Sequence, residues 1–201
     1  WGVNTRLSSS LGAKFSSPRY LPPGAPSSVP GRASHGGAVR GRMISHEGCI
    51  WMATYGARDE HSAALVPQLY VSHDEGRSFH YRSTIAAAPE GRYLYAEPSL
   101  YRSNSGRLWC FLRTFNEEDA TTLCWSDDDG ISWSEPVVTE IIGHPLDPVP
   151  LADGRVLLVY GYRHAPYGVR ARLWDGQSVE FAAEEVILRD DGRSSDLGYP
   201  W

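Results

Sequence analysis

A few ionisable side chains recur at similar distances from glycine turns. Glu97 lies nine residues before Gly106, and His144 lies ten residues before Gly154. Arg113 follows Gly106 by seven residues and ends an otherwise apolar run, so a guanidinium buried there needs an anionic partner. A carboxylate, an imidazole and a guanidinium held together can bind an anion and exchange a proton. These residue types therefore indicate a site for an anionic ligand.

Two more residues join this group through the spacing of the chain. Arg40 lies eight residues before Gly48, and Tyr199 stands where a further repeated segment would begin. Four of these residues share one property, since each would begin the first strand of a repeated unit: Arg40, Glu97, His144 and Tyr199. The elements that position them decide whether they meet.

The elements are short strands. Apolar or alternating runs rich in β-branched and aromatic residues are separated by Gly or Asp turns, a pattern typical of antiparallel strands. No segment shows a helical period. The sequence therefore predicts an all-β protein, with strands in or near residues 49–53, 68–71, 107–112, 122–125, 156–160 and 169–173.

An eight-residue motif occurs twice, with Ser first, Asp two residues later, Gly four later and an aromatic residue seven later. Its Ser and Asp side chains can satisfy backbone N–H groups in a tight turn, while Gly takes a positive φ and the ring anchors the hairpin. We interpret it as a structural staple, with a degenerate third copy at Trp174–Val179. The two full copies, 54 residues apart, comprise Ser72, Asp74, Gly76, Phe79 and Ser126, Asp128, Gly130, Trp133.

The repeated unit is predicted to be a four-stranded antiparallel sheet. Such a unit cannot bury both faces alone, so copies must stack, and radial stacking gives a β-propeller of four-stranded antiparallel blades. About three blades and the start of a fourth are expected. The innermost strand of a blade directs its first residues into the central funnel, which would bring Arg40, Glu97, His144 and Tyr199 together.

The motif resembles the Asp-box, or BNR, repeats of the sialidase superfamily, and the resemblance covers residues 38 to 201. It implies a β-propeller, but complete members have six or more blades. We therefore expect either a partial chain or a ring completed by another segment or a second copy. Residues 37–201 would form the partial propeller domain. Residues 1–36, rich in Ser, Pro and Gly, would form a linker or disordered segment.

The resemblance also implies roles for named residues. In sialidases three arginines hold the substrate carboxylate, a tyrosine attacks the anomeric carbon, a glutamate accepts the proton of that tyrosine, and an aspartate is the acid/base. The segment from Glu97 to Arg113 resembles the one that carries the glutamate and the second arginine. Tyr199 resembles the nucleophile. The resemblance also gives candidates for the remaining roles. These are Arg40 for the first arginine, Arg170 or Arg172 for the third arginine, and Asp59 for the acid/base.

The sequence also departs from the sialidase pattern. Arg40-Gly41-Arg42 stands where the family has Arg-Ile-Pro, and no family motif surrounds Asp59. The stretches 143–148 and 161–164 place His144 and Arg163 near the proposed funnel, where sialidases need neither. They resemble a differently specialised propeller, such as another glycosidase or a polysaccharide lyase in which His and Tyr serve as base and acid.

Three functions remain open at this point. The first is a sialidase-like exo-glycosidase that removes a terminal anionic sugar from a glycan. The second is a propeller that binds carbohydrate or acts as a scaffold without catalysis, and the third is the lyase. Each functional reading competes with a structural one: Arg113 could simply pair with Glu97, and the alternation around Arg170 and Arg172 also fits a half-exposed strand.

Composition excludes several classes of partner. With 19 basic and 24 acidic residues and no basic cluster, the chain is a poor nucleic-acid binder, and no apolar run approaches the ~20 residues of a membrane span. No signal peptide precedes the first strands, although the resemblance implies a secreted or cell-surface protein. Three cysteines without CxxC spacing predict no metal site, and we expect no cofactor. Cys110 and Cys124 would lie nearly opposite each other in a hairpin, as a disulfide or as buried thiols.

Overall fold

The computed structural model describes residues 4–5, 19–20, 38–57, 65–88, 95–115, 119–197 and 199–200. Within these ranges every regular element is a β-strand, as predicted, and no helix is present that could cross a membrane. Strands β1 (Asn4–Thr5) and β2 (Arg19–Tyr20) form a two-stranded sheet. The rest of the predicted linker lies outside the described residues.

Twelve strands form three four-stranded antiparallel sheets, which confirm the predicted blades. In each blade the strands follow one another in chain order, and the three sheets do not close a ring within the described residues. Blade 1 contains β3 (Ile44–His46), β4 (Cys49–Ala57), β5 (Leu65–Ser72) and β6 (His80–Thr84). Blade 2 contains β7 (Tyr95–Arg102), β8 (Leu108–Thr114), β9 (Ala120–Ser126) and β10 (Val137–Ile142). Blade 3 contains β11 (Leu146–Pro150), β12 (Val156–Tyr162), β13 (Gly168–Trp174) and β14 (Glu185–Arg189).

Blade 2 is buried on both faces because the side chains of a strand alternate between them. In β8, Leu108, Cys110 and Leu112 pack against blade 1, in a cluster that includes Trp51 and Leu69. The intervening residues of β8 pack against blade 3. That second cluster contains Trp109, Phe111, Leu158 and Trp174. Burial of each large side chain stabilises the stack by about 1.5–3 kcal/mol.

The first predicted staple is present at the turn that follows β5. The Ser72 hydroxyl donates to Asp74 Oδ1 at 2.8 Å and accepts the Gly76 N–H at 2.8 Å. Asp74 in turn accepts the Ser78 N–H at 2.7 Å and the Ser78 hydroxyl at 2.6 Å. Gly76 has the expected positive φ of 80°, and Phe79 is buried.

The second staple repeats this geometry and adds a link between blades. Ser126 donates to Asp128 at 2.8 Å, and Asp128 accepts the N–H and hydroxyl of Ser132 at 2.9 and 2.6 Å. Trp133 Nε1 donates to the hydroxyl of Ser83 in blade 1 at 3.0 Å. The degenerate copy in blade 3 keeps the carboxylate and the glycine: Asp175 accepts the N–H groups of Gln177 and Ser178 at 2.8 and 3.0 Å, and Gly176 has a φ of +75°.

The cysteine pair lies where the hairpin register predicts. Cys110 and Cys124 are direct cross-strand partners in β8 and β9, and both are buried free thiols. Burial raises the pKa of the Cys110 thiol well above its ordinary value and that of Cys124 to about 12. Both thiols are therefore protonated and packed as apolar groups.

Candidate functional site

The first residues of the inner strands lie side by side, which places Glu97 next to the segment that leads into β3. Glu97 occupies an irregularity in the β7–β8 register between Ala96 and Ser99, and its φ of +48° is unusual for a residue with a side chain. Such a bulge redirects a side chain out of the alternation of its strand. Gly41 permits the close approach, since a Cβ there would lie 2.5 Å from the Pro98 carbonyl oxygen.

One carboxylate oxygen gathers two of the predicted partners. Glu97 Oε1 accepts a hydrogen bond from the Tyr199 hydroxyl at 2.8 Å and another from Arg113 Nη1 at 3.0 Å. Glu97 is only 5% exposed, and its Oε2 is buried without a hydrogen-bond partner among the described residues. An unsatisfied buried carboxylate oxygen is costly, so Oε2 has the capacity to accept a further hydrogen bond.

Arg40 approaches the same tyrosine from the other side. Its guanidinium carbon lies 5.8 Å from the centroid of the Tyr199 ring, and its Nη2 donates to the Pro200 carbonyl at 3.2 Å. Arg40 Nη1 donates to the Leu146 carbonyl, which joins the start of blade 1 to the start of blade 3. Burial lowers the pKa of Arg40, although Asp147, Glu97 and Tyr199 oppose that effect. We call Arg40, Glu97, Arg113 and Tyr199 the Glu97 cluster.

The electrostatics of the cluster keep the tyrosine neutral. The pKa of Tyr199 is raised, first by its hydrogen bond to Glu97, then by burial and by the charge of that carboxylate, while Arg113 opposes the rise. The phenol is therefore protonated at neutral pH. The same charged groups act on Tyr55. Burial raises the pKa of Tyr55, the charge of Glu97 adds to the rise, and Arg113 and Arg40 oppose it.

A second group of polar residues lies beside the first. His144 Nε2 contacts Asp119 Oδ1 at 3.1 Å, and His164 Nε2 lies 3.4 Å from Asp119 Oδ2. His144 is 2% exposed, and its Nδ1 is buried without a hydrogen-bond partner in the described part of the chain. Burial lowers the pKa of His144, the hydrogen bond to Asp119 opposes that effect, and the positive charges of Arg113 and Arg163 add to it. We call Asp119, His144 and His164 the Asp119 cluster.

Main-chain contacts hold the Asp119 cluster in place. The His144 N–H donates to the Gly161 carbonyl at 2.9 Å, and the Gly143 N–H donates to the Asp119 carbonyl at 3.0 Å. Gly143 has a φ of +140°, and a Cβ there would lie 2.7 Å from the Gly161 oxygen. Arg163 Nε donates to the His144 carbonyl at 3.1 Å, so this arginine supports the histidine backbone.

The two candidates for a third arginine are engaged elsewhere. Arg170 pairs with Glu185 of β14, and its guanidinium carbon lies 3.2 Å from the Tyr162 ring centroid. Arg172 donates to Glu140 at 3.0 Å. No contact given by the described residues joins either arginine to the Glu97 cluster, because β13 lies two strands away from the inner strand of its blade. Asp59, the candidate acid/base, lies outside the described residues.

Three neighbours of the site had no predicted role. Tyr55 follows Gly48 by the same seven residues that separate Arg113 from Gly106, so the spacing marks it as the counterpart of Arg113 without assigning it a function. Asp119 has no motif, and only its partners His144 and His164 reveal it. Phe115 is 49% exposed at the end of the strand that carries Arg113, and no periodicity marks it.

A further group of polar residues lies on the outer strands of blade 3, where Glu185 accepts hydrogen bonds from the Tyr160 hydroxyl and from Arg170. It differs from the Glu97 cluster in its place, since no side-chain hydrogen bond or ion pair given by the described residues joins the two groups. A cavity of about 450 Å³ opens at the opposite end of the inner strands, lined by residues such as Ile44, Tyr101 and Pro148, and it contains no member of the Glu97 cluster. Across the described ranges, no three His, Cys, Asp or Glu side chains are grouped so that they could hold a metal ion.

The comparisons with known structures agree with the fold. A protein of unknown function from Dyadobacter fermentans is 30% identical, with a TM-score of 0.89; the match covers 100% of this chain and 56% of that one. NanB sialidase from Streptococcus pneumoniae is 16% identical, with a TM-score of 0.68 over 94% of this chain and 29% of that one. A PL25 ulvan lyase is 12% identical, with a TM-score of 0.56 over 87% of this chain and 48% of that one. This chain thus spans just over half of the Dyadobacter protein.

The family assignment rests on the whole sequence. A search of the curated proteins finds no match. The profile of the BNR repeat-like domain family, in contrast, matches residues 1–201, in agreement with the two staples and the four-stranded blades. The chain belongs to the BNR repeat-like domain family.

Proposed function

We propose that this chain carries catalytic residues of a carbohydrate-active enzyme, a sialidase-like exo-glycosidase that removes a terminal anionic sugar from a glycan. The observation that carries the proposal is the shared Glu97 oxygen, which accepts hydrogen bonds from both Tyr199 and Arg113. A phenol bonded to a buried carboxylate, with a guanidinium beside it, combines a nucleophile, its base and an anion-binding group. The structural neighbours that are sialidases, galactanases and lyases support a carbohydrate substrate in general.

In this proposal each residue has one role. Arg113 binds the sugar carboxylate with a guanidinium, whose planar fork matches two carboxylate oxygens. Arg40 supplies a second positive charge close to the Tyr199 ring. Because the pKa of Tyr199 is raised, the free site holds a neutral phenol, and attack requires Glu97 to take the proton.

The reaction then balances in two steps. The Tyr199 oxygen bonds to the anomeric carbon as the bond to the leaving oxygen breaks, and the phenol proton passes to Glu97. A protonated acid, for which Asp59 is the candidate, supplies the proton of the departing hydroxyl. Water then attacks the anomeric carbon and gives a proton to the same acid/base, while the tyrosine oxygen leaves and takes back the proton held by Glu97. The phenol is restored and the product has retained configuration.

The Asp119 cluster supports a second candidate, a polysaccharide lyase. The lowered pKa of His144 favours a neutral imidazole, and Asp119 orients it as a carboxylate orients a general base. In that reaction His144 would take the proton next to a uronate carboxylate, and a tyrosine would protonate the leaving oxygen. The glycosidase is preferred because the Glu97 carboxylate already contacts the phenol.

The test is turnover of a fluorogenic sialoside and of a panel of uronic-acid glycans by wild type, Arg113→Ala and Arg113→Lys. Losing a charge-assisted contact lowers kcat/KM by roughly 10- to 100-fold, and Lys recovers only part because it lacks the fork. Arg155→Ala, at an exposed arginine outside both clusters, is the matched control. An unsaturated uronate product would favour the lyase, and binding without turnover would favour a carbohydrate-binding propeller.

A further inference from the structure

Exposed aromatic side chains are concentrated at the proposed site. Among the Phe, Tyr and Trp side chains whose burial the structure describes, only Phe115 and Tyr199 are largely exposed, at 49% and 46%. Both contact a member of the Glu97 cluster, since Tyr199 donates to Glu97 and the Arg113 guanidinium carbon lies 4.6 Å from the Phe115 ring centroid. Single exposed apolar residues are ordinary on a surface, but both exposed aromatics beside one buried ion pair are not.

Phe115 is held at the end of the β8–β9 hairpin. Thr114 Oγ1 donates to the Ala120 carbonyl at 2.7 Å, which closes the base of the hairpin loop. Phe115 and Asp119 therefore flank the same loop, one on each arm. The Arg113 guanidinium lies between the Phe115 ring and Glu97, so one face of the ring is turned to the cluster and the side chain remains half exposed.

Two partly exposed polar side chains lie on the other arm of this hairpin and beside it. Asp119 is 31% exposed, and His164, whose Nε2 lies 3.4 Å from Asp119 Oδ2, is 43% exposed, so both can reach a ligand with hydrogen-bonding atoms. Each of the two clusters also contains at least one buried polar atom without a hydrogen-bond partner among the described residues. These atoms include His144 Nδ1 in the Asp119 cluster and Glu97 Oε2 in the Glu97 cluster. A sugar presents an apolar C–H face to an aromatic ring and hydroxyls at its edge, which are the two surfaces found here.

We propose that Phe115 is the stacking platform of a second subsite, which binds the sugar ring next to the scissile bond, with Asp119 and His164 bonding its hydroxyl groups. This inference rests on the proposed glycosidase function and deepens it, because it assigns a preference for oligosaccharides over substrates with a small leaving group. The subsite lies on the leaving-group side, since the terminal anionic sugar occupies Arg113 and Tyr199.

The experiment separates the two sugar positions by calorimetry. Sialyllactose and free sialic acid are titrated into a Tyr199→Phe protein, in which turnover is removed, with and without Phe115→Ala. Stacking on one aromatic ring predicts a loss of affinity for sialyllactose on the order of tenfold and no change for sialic acid. Phe115→Trp should keep the affinity, and Ile131→Ala, at an exposed apolar residue of the second staple, should not change it.

The outcomes distinguish the two proposals. Equal losses for both ligands, or no loss for either, would overturn the subsite while leaving the glycosidase intact. If the wild-type protein neither binds nor cleaves sialyllactose or uronic-acid glycans, both proposals fall. Phe115→Leu, which keeps most of the side-chain volume, should bind sialyllactose as weakly as Phe115→Ala if the aromatic face is what matters.

Discussion

The staples and the Glu97 cluster both contain a carboxylate that accepts hydrogen bonds, but the two carboxylates differ in burial and in how completely they are bonded. In the staple at Ser126, the Asp128 carboxylate is exposed, and it accepts hydrogen bonds from Ser126, Ser132 and the local backbone. In the Glu97 cluster, the carboxylate of Glu97 is buried. Two donors share one of its oxygens, and the other oxygen has no partner among the described residues. A satisfied carboxylate stabilises a turn, whereas an unsatisfied one is poised to bind or to take a proton.

Backbone conformation separates the two regions in the same way. The positive φ values of Glu75 and Asp129 fall in tight turns, where such values are common. The positive φ of Glu97 falls inside a strand, where it costs on the order of 1–3 kcal/mol and persists only because its surroundings enforce it. Strain of this kind clusters at functional sites. The two regions therefore predict opposite responses to the same chemical change.

The largest effect is expected from exchanging each carboxylate for an amide. In the proposed reaction Glu97 accepts the Tyr199 proton, so Glu97→Gln should lower kcat by about 10²- to 10⁴-fold. Asp128→Asn should leave kcat unchanged and lower the melting temperature by a few degrees, because Ser132 loses a charged acceptor. The measurements are turnover of the best substrate and thermal unfolding of both variants. Similar losses of kcat in Glu97→Gln and Asp128→Asn would show that the two carboxylates do not differ in function.

An intermediate effect is expected from glycines that differ in their surroundings. Gly143→Ala would place a Cβ 2.7 Å from the Gly161 oxygen at a φ of +140°, next to His144. We expect it to lower the free energy of unfolding by about 2–5 kcal/mol through strain and overpacking. Gly154→Ala, at a φ of +88° with nothing within 4 Å, should cost only about 1–2 kcal/mol. Denaturant unfolding compares them, and equal losses would show that the site imposes no special packing.

The turns of the staples could be predicted in detail from sequence because the hydrogen bonds of the Ser and Asp side chains in the motif join residues within four positions of each other, unlike the bond between Trp133 and Ser83. The Glu97 cluster was predicted only in part. Spacing and resemblance identified Glu97, Arg113 and Tyr199, but no local signal fixes contacts across about a hundred residues, such as Glu97 with Tyr199. For Arg170 and Arg172 the alternation of a strand shows which face a side chain takes, not which carboxylate it meets, and the structure gives both a glutamate partner.

The smallest effect is the pH dependence of the second staple. Hydrogen bonds from Ser132 and Ser126 lower the pKa of Asp128 from 3.8 to about 2. A lowered carboxyl pKa in the folded state contributes stability above the unfolded-state pKa, and that contribution is lost as the pH falls through the folded-state value. The difference in melting temperature between wild type and Asp128→Asn should thus be constant near neutral pH and shrink between about pH 4 and 2. A difference that persists unchanged at pH 2 would exclude this origin.

The central claim is that Tyr199 and Glu97 form a nucleophile and its base, and covalent trapping tests it most directly. An activated fluorosugar, whose glycosyl-enzyme intermediate hydrolyses slowly, is incubated with wild type and with Glu97→Gln, and the labelled peptide is identified by mass spectrometry. We predict that one sugar is attached to Tyr199 in the wild type and that labelling is slowed by orders of magnitude in Glu97→Gln. Label on another residue, or turnover without any label, would contradict the account.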